Sequence, residues 1–291
     1  MAIPMNTDCL WCQLKKHIGT AEKLGDADTA MAFSQELLRI LADATKEDTS
    51  SHISPAINSL YMKYFGLDQD RFVEEKKESN AFIMEKFDRI AALVAQAEDP
   101  VFAGLQFAIL GNYLDFSALQ GQVSYEKLDE MLENALKMEL DMDTYRQLLS
   151  DLEKGKKVLY LTDNAGEIAF DRIFGEEIQK KFPHLDITFC VRGYPVHNDA
   201  TREDAEFVGV PFKVIDSGSN LGGTDISLLG PEARQALEEA DVIIAKGMGN
   251  TETMYGCGYN VYYAFLVKCI RLQQFFDKPL MTPMLVRDQV Q

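Results

Sequence analysis

The chain has 291 residues, 46% of them hydrophobic, with 19 Gly and 9 Pro, a globular composition with length enough for one large domain or two. Its 46 acidic residues against 29 basic ones leave a formal net charge of −17, which repels nucleic acid and anionic membranes and argues against either as a partner. A phosphorylated substrate would have to be held by a local positive site and not by the overall field.

The opening residues Met1 to Asp8 have neither a basic nor an apolar stretch, so no signal peptide is expected. No apolar run approaches the length of a membrane span. Five scattered cysteines without an export signal predict reduced thiols and a cytoplasmic protein.

From Asp8 to Asp151 the periodicity is helical. Leu10, Leu14, His17 and Ile18 start one helix, broken at Gly25-Asp26-Ala27-Asp28, and Ala32, Leu37, Leu38 and Leu41 mark a second. Ser54-Pro55 predicts a capped start for a third, ending at Gly66. A long charged segment from Asp70 to Ala97 carries Phe72, Phe82, Ile83, Phe87, Ile90 and Val94, and Asp99-Pro100 starts a more apolar helix. Tyr125–Leu140 and Thr144–Leu152 complete an all-helical half.

The second half alternates. Candidate strands are Val158–Leu161, Ile187–Val191, Phe212–Ile215 and Val242–Ala245, with helices after the first strand and, over Pro231–Ala240, between the last two. Tyr259–Phe276 reads as one long helix, and Pro279–Arg287 as an edge strand, because Pro283 cannot donate to a ladder. Buried strands alternating with helices predict a mostly parallel sheet flanked by helices. The fold class is therefore α/β, with a helical domain over 1–152 and a sheet domain over 153–291.

The first strand anchors the rest. Val158 to Leu161 is a short apolar run, it stops at Thr162-Asp163-Asn164, and a helix with a Phe170, Ile173, Phe174, Ile178, Phe182 stripe follows at once. A carboxylate and an amide thus leave the carboxyl end of a strand beside a helix start, where ligands bind in open α/β sheets. The other strands end alike: Asn198-Asp199 after the second, Asp216 to Thr224 after the third, Lys246-Gly247-Met248-Gly249-Asn250 after the fourth. Asp163, Asn164 and Asp199 are hard oxygen donors suited to Mg²⁺ or Mn²⁺, and Lys246 on its glycine-flanked turn is suited to a phosphate oxygen. Gly218–Thr224 lacks the Lys of a phosphate loop, and Gly247-x-Gly249 lacks the third glycine of a dinucleotide site. Cys9-Leu-Trp-Cys12 can bind metal, cycle as a disulfide or pack; with no second pair, it cannot make a four-cysteine zinc site within the chain.

Five ordered motifs, Cys9-x-x-Cys12-Gln13, Gly111-Asn112-Tyr-Leu-Asp115-Phe116, Asp163-Asn164-Ala-Gly-Glu167, Asn198-Asp199-Ala-Thr201 and Lys246-Gly247-x-Gly-Asn250-x-Glu252, resemble the DUF89 family of damage-control metal phosphatases. The nearest likeness is to its prokaryotic branch with the N-terminal C-x-x-C. The resemblance implies a helical region over a Rossmann-like α/β/α domain and a divalent metal, Mn²⁺, Mg²⁺, Co²⁺ or Ni²⁺, held by Asp163, Asn164 and Asp199. It implies hydrolysis of phosphate esters of small metabolites, among them sugar phosphates and phosphopantetheine-type compounds. Asp163, Asp199 and Lys246 are then the candidate catalytic residues. Asn112, Asp115, Glu167, Asn198, Gly247, Asn250 and Glu252 are candidate substrate or phosphate contacts. Water, or Asp163 itself, is the nucleophile. A methyltransferase using S-adenosylmethionine and a non-catalytic metabolite-binding protein remain as alternatives, since a Rossmann-like sheet hosts both.

Overall fold

The computed structural model describes residues 2–114, 130, 132 and 134–288. Asp115 and much of the helix expected over Tyr125–Leu140 lie outside the described residues.

Six strands form one sheet: β1 Lys157–Leu161, β2 Asp186–Val191, β3 Lys213–Asp216, β4 Val242–Lys246, β5 Val261–Leu266 and β6 Pro283–Arg287. Their order is β3-β2-β1-β4-β5-β6, parallel throughout except for β6, which runs antiparallel at the edge with Pro283 as its first residue. That order is the doubly wound one, with the chain reversing direction between β1 and β4.

The helices in chain order are α1 Thr7–Leu24, α2 Ala27–Asp43, α3 Ser50–Phe65, α4 Val73–Ala95, α5 Pro100–Gly111, α6 Met142–Lys154, α7 Glu167–Lys181, α8 Arg202–Phe207, α9 Pro231–Glu239, α10 Gly247–Met254 and α11 Ile270–Phe276. Side-chain caps start several of them: Asn6 accepts from Cys9 N–H, Asp26 from Thr29 N–H and Asp99 from Phe102 N–H.

Period-two alternation divides the sheet's apolar residues between two layers. Val158, Tyr160, Ile187, Phe189, Val242, Ile244 and Tyr262 face a core built with α4, α5, α6 and α7. Leu159, Leu161, Cys190, Ile215, Ile243, Ala245 and Tyr263 face the opposite side, where α9, α10 and α11 pack. A third cluster belongs to α1, α2 and α3 alone. The cores therefore do not divide at residue 152, since α4 and α5 share one core with the strands.

α5 is buried on nearly every side because it is wedged between α7 and the sheet. A Cβ on Gly104 would lie 3.1 Å from Phe174 Cα, and one on Gly111 2.7 Å from Phe170 Cδ2. The two glycines let the helices approach until the end of α5 delivers Asn112 beneath the strand exits.

Two expectations are corrected. Tyr259–Phe276 is not one helix: Val261–Leu266 is β5, and a turn separates it from α11. All six residues of β5 are buried, so no alternation marked it as a strand. α3 begins four residues before Ser54, at Ser50, through a capping box between Thr49 and His52 that leaves Pro55 inside the helix.

Candidate functional site

β1 and β4 are neighbours from which the chain leaves in opposite directions, so a crevice opens beyond their carboxyl ends. β1 exits into Thr162-Asp163-Asn164, all buried. The exit of β2 returns beside it: Asn164 and Asp199 form an isolated bridge, and Ala200 N–H donates to Asp163 O at 2.7 Å. The buried Arg192 guanidinium spans the two carboxylates. Its Nε donates to Asp199 Oδ2 at 2.6 Å, and its Nη2 stands 3.7 Å from Asp163 Oδ1. Nη1 donates to Gly223 O at 2.9 Å and to Asn250 Oδ1 at 3.3 Å, which ties in α10 and the loop after β3.

Asn164 Nδ2 donates to Asp163 Oδ2 and to Glu167 Oε2, each at 2.9 Å. Both amide hydrogens face carboxylates, so the amide oxygen points the other way. Among the described residues that oxygen accepts no hydrogen bond, and Asn164 lines the crevice. Among the described residues no group of three or more His, Cys, Asp or Glu side chains is placed to hold a metal. The donor set here is instead two carboxylates and an amide oxygen, which fits a hard divalent cation with room for water or substrate.

Gly247, at φ +76°, closes the exit of β4 against this set, and a Cβ there would fall 1.8 Å from Asp163 Oδ2. Only glycine allows both that backbone and that approach.

A wholly buried polar layer lies beneath. Lys246 Nζ donates to Glu167 Oε1 at 2.6 Å, to Ala108 O at 2.7 Å and to Asp171 Oδ1 at 2.9 Å, and Lys246, Glu167 and Asp171 are all 0% exposed. Burial opposes the Lys246 charge, but Asp171 and Glu167 outweigh it and hold its pKa above the ordinary lysine value. Burial pushes the Asp171 carboxyl up, with Lys246 acting against the shift. Asn112 Nδ2 joins the layer to the site above through Asp163 Oδ2 at 2.9 Å and Glu167 Oε2 at 3.1 Å. Lys246 is thus placed differently from the ammonium aimed at phosphate that its position in the chain predicts. The opening of α7 differs as well: Gly166 N–H is taken by Asn80 Oδ1 of α4 at 2.6 Å, not left facing the crevice.

Above the carboxylates the crevice widens to a cavity of about 390 Å³, within the range of small-metabolite sites. Asp163, Asn164 and Asp199 form its floor. Cys9, Cys12 and Lys16 of α1 line one wall; Lys268, Cys269 and Arg271 line another; Met248, Gly249 and Glu252 of α10 line a third. Polar contacts join α1 and its leading segment to α11: Asn6 Nδ2 to Gln274 Oε1 at 3.0 Å, Gln274 Nε2 to Asp8 Oδ2 at 2.8 Å and Arg271 Nε to Pro4 O at 2.8 Å. The C-x-x-C pair, remote in sequence from the strand ends, is therefore part of the cavity wall. Both cysteines are free thiols.

Of the expected site residues, Asp163, Asn164, Asp199 and Glu252 line the cavity. Asn112, Glu167, Asn198, Lys246 and Asn250 are buried around the floor, Gly247 packs on Asp163, and Asp115 lies outside the described residues. Arg192, Lys268 and Arg271 join the site without having been singled out in the sequence. Lys268 is held by Asn112 O at 2.6 Å and reaches the cavity from the exit of β5. A lysine directly after an aromatic, β-branched run was its signal.

The family model for the damage-control phosphatase ARMT1-like domain matches residues 5–281. The chain belongs to this family. A damage-control phosphatase of Archaeoglobus fulgidus is 33% identical over 234 residues, and one of Pyrococcus horikoshii is 31% identical over 235; each alignment covers 79% of both chains. An uncharacterized protein of Methanocaldococcus jannaschii is 30% identical over 281 residues, covering 92% of this chain and 90% of the relative. The crystal structure of a DUF89 family protein from P. horikoshii superposes with a TM-score of 0.82 at 27% identity, covering 98% of this chain and 99% of that one. The DUF89 resemblance read from the five motifs and the helix-and-sheet fold class both stand. The methyltransferase alternative has no support in a family of damage-control phosphatases.

Proposed function

We propose that this DUF89-family protein is a divalent-metal-dependent phosphatase acting on phosphate monoesters of small metabolites, with sugar phosphates and phosphopantetheine-type compounds as the substrate classes to test. The observation that carries this reading is the convergence of Asp163, Asn164 and Asp199 on one cavity, with the Asn164 amide hydrogens engaged by carboxylates so that its oxygen is left to accept.

Asp163, Asn164 and Asp199 would hold the cation, which when bound would polarise a phosphoryl oxygen and acidify a bound water. The protein's own groups do the positioning. Arg192 keeps Asp163 and Asp199 together, and the Asn112 and Asn164 amides fix the Asp163 carboxylate from the other side. Lys268 supplies positive charge at the wall where phosphoryl oxygens would lie, and it answers the need for local attraction in a chain of net charge −17. Water is the nucleophile in this reading, because Asp163 is assigned to the cation and is held in place there by the Asn112 and Asn164 amides. Lys246 acts at one remove, by neutralising Glu167 and Asp171 beneath the floor.

Protein stripped with a chelator should release no inorganic phosphate from a panel of sugar phosphates. Mn²⁺, Mg²⁺, Co²⁺ or Ni²⁺ should restore release. Full activity in excess chelator, or none with any of the four metals on any substrate, overturns the reading.

A further inference from the structure

Glu252 is expected from the motifs to contact phosphate, yet an ionised carboxylate repels a phosphate dianion. Its surroundings indicate a different task. It projects from α10 into the cavity whose floor is Asp163, Asn164 and Asp199. Among the described residues its carboxyl makes no hydrogen bond and no ion pair, unlike those of Glu167, Asp171 and Asp199. The backbone around it is held, because Ile3 N–H donates to Glu252 O at 2.7 Å and lays the N-terminal segment over this turn of α10.

We propose that Glu252, in its carboxylic acid form, is the general acid that protonates the departing alcohol oxygen. The proposal rests on the phosphatase reading. Water attacks phosphorus, the bond from phosphorus to the ester oxygen breaks, and that oxygen leaves with the bond's electron pair. Glu252 gives it a proton, so that ROH departs and a carboxylate remains. The attacking water's extra proton passes through the phosphate product to solvent, from which Glu252 is reprotonated. No other reactant is needed.

The charged and titratable groups lining the cavity with Glu252 are Arg271 and Cys269 at α11, Lys268 after β5, Asp8, Cys9, Cys12 and Lys16 on α1, Asp163 after β1, and His197 and Asp199 after β2. Burial pushes the Glu252 carboxyl up to about 7, with Arg271 acting in the opposite sense. An acid poised there can give up its proton near neutral pH and regain it. The acid form is the active one, so turnover that needs it is present below pH 7 and lost as the pH rises above it.

The test compares p-nitrophenyl phosphate with phenyl phosphate in the presence of Mn²⁺. The two esters have nearly the same shape, but p-nitrophenolate leaves well without a proton and phenolate leaves poorly. Glu252→Gln should lower kcat/KM on phenyl phosphate by about 100-fold and on p-nitrophenyl phosphate by less than about tenfold, the scale of one general acid. It should also abolish the decline of phenyl phosphate turnover above pH 7. Glu252→Asp, which keeps an acid one methylene short, should recover part of the phenyl phosphate rate, and it carries the comparison should the glutamine variant fold poorly. Equal losses on both esters, or an unchanged alkaline limb, overturn the assignment while leaving the phosphatase reading intact. A wild-type protein inactive on both esters with every metal overturns the phosphatase reading itself.

Discussion

Two charged regions lie one above the other at the carboxyl edge of the sheet, and they are built differently. Beneath the floor, Lys246 spends all three ammonium hydrogens on Glu167, Asp171 and Ala108 O, and nothing in the group reaches solvent. In the cavity wall above, among the described residues, the Glu252 carboxyl makes no hydrogen bond or ion pair, and the Arg271 guanidinium donates through Nε alone, to Pro4 O. Charge satisfied inside the protein fixes architecture. Charge left to face a cavity is available to a substrate. Both regions contain residues of the same motif, Lys246 and Glu252, so motif membership alone did not separate the two roles.

Removing the cation below should break the contrast most severely. Lys246→Met leaves two buried carboxylates without their counter-charge and should lower the unfolding free energy by about 3–5 kcal/mol, measured by denaturant titration. A variant that unfolds like wild type but turns over two to three orders of magnitude more slowly would instead make Lys246 a phosphate contact. Gly247→Ala should act at the junction of the two regions. Its methyl group meets Asp163 Oδ2 in a backbone already at φ +76°, so the substitution should destabilise by about 1–3 kcal/mol. Displacing that carboxylate should also weaken Mn²⁺ binding by about tenfold or more, the scale of a disturbed ligand orientation. Unchanged Mn²⁺ affinity in a folded Gly247→Ala protein would separate Asp163 from metal binding.

The strand exits were legible because Val158–Leu161 and Val242–Ala245 are short apolar runs that end abruptly in polar residues, a pattern that only a buried strand with a functional end explains well. Asp163 followed from it, and Asp199 from the like exit of Ile187–Val191. β5 was not legible: Val261–Leu266 is buried on both faces, so its period could not distinguish strand from helix, and Lys268 was lost with it. The burial of Lys246 was hidden because a lysine after a strand usually reaches solvent. Its partners carried a sign, since Glu167 and Asp171 sit four residues apart among Ile168, Phe170 and Phe174, which places two carboxylates on a helix facing the core. Asn112 was reached only through the motif resemblance, because the close crossing of α5 and α7 that buries it depends on Gly104 and Gly111 meeting residues far along the chain. The approach of Cys9 and Cys12 to the strand ends is likewise a long-range product of α1 docking on α11, which local spacing does not encode.

The most direct test is an equilibrium titration of metal-free protein with Mn²⁺, comparing wild type with Asp163→Ala and recording a melting curve for each. Wild type should bind one ion per chain, and Asp163→Ala should show no saturable binding while melting as a folded protein. Saturable binding by Asp163→Ala at the wild-type affinity would show that the cation is held elsewhere and that Asp163, Asn164 and Asp199 are not its site.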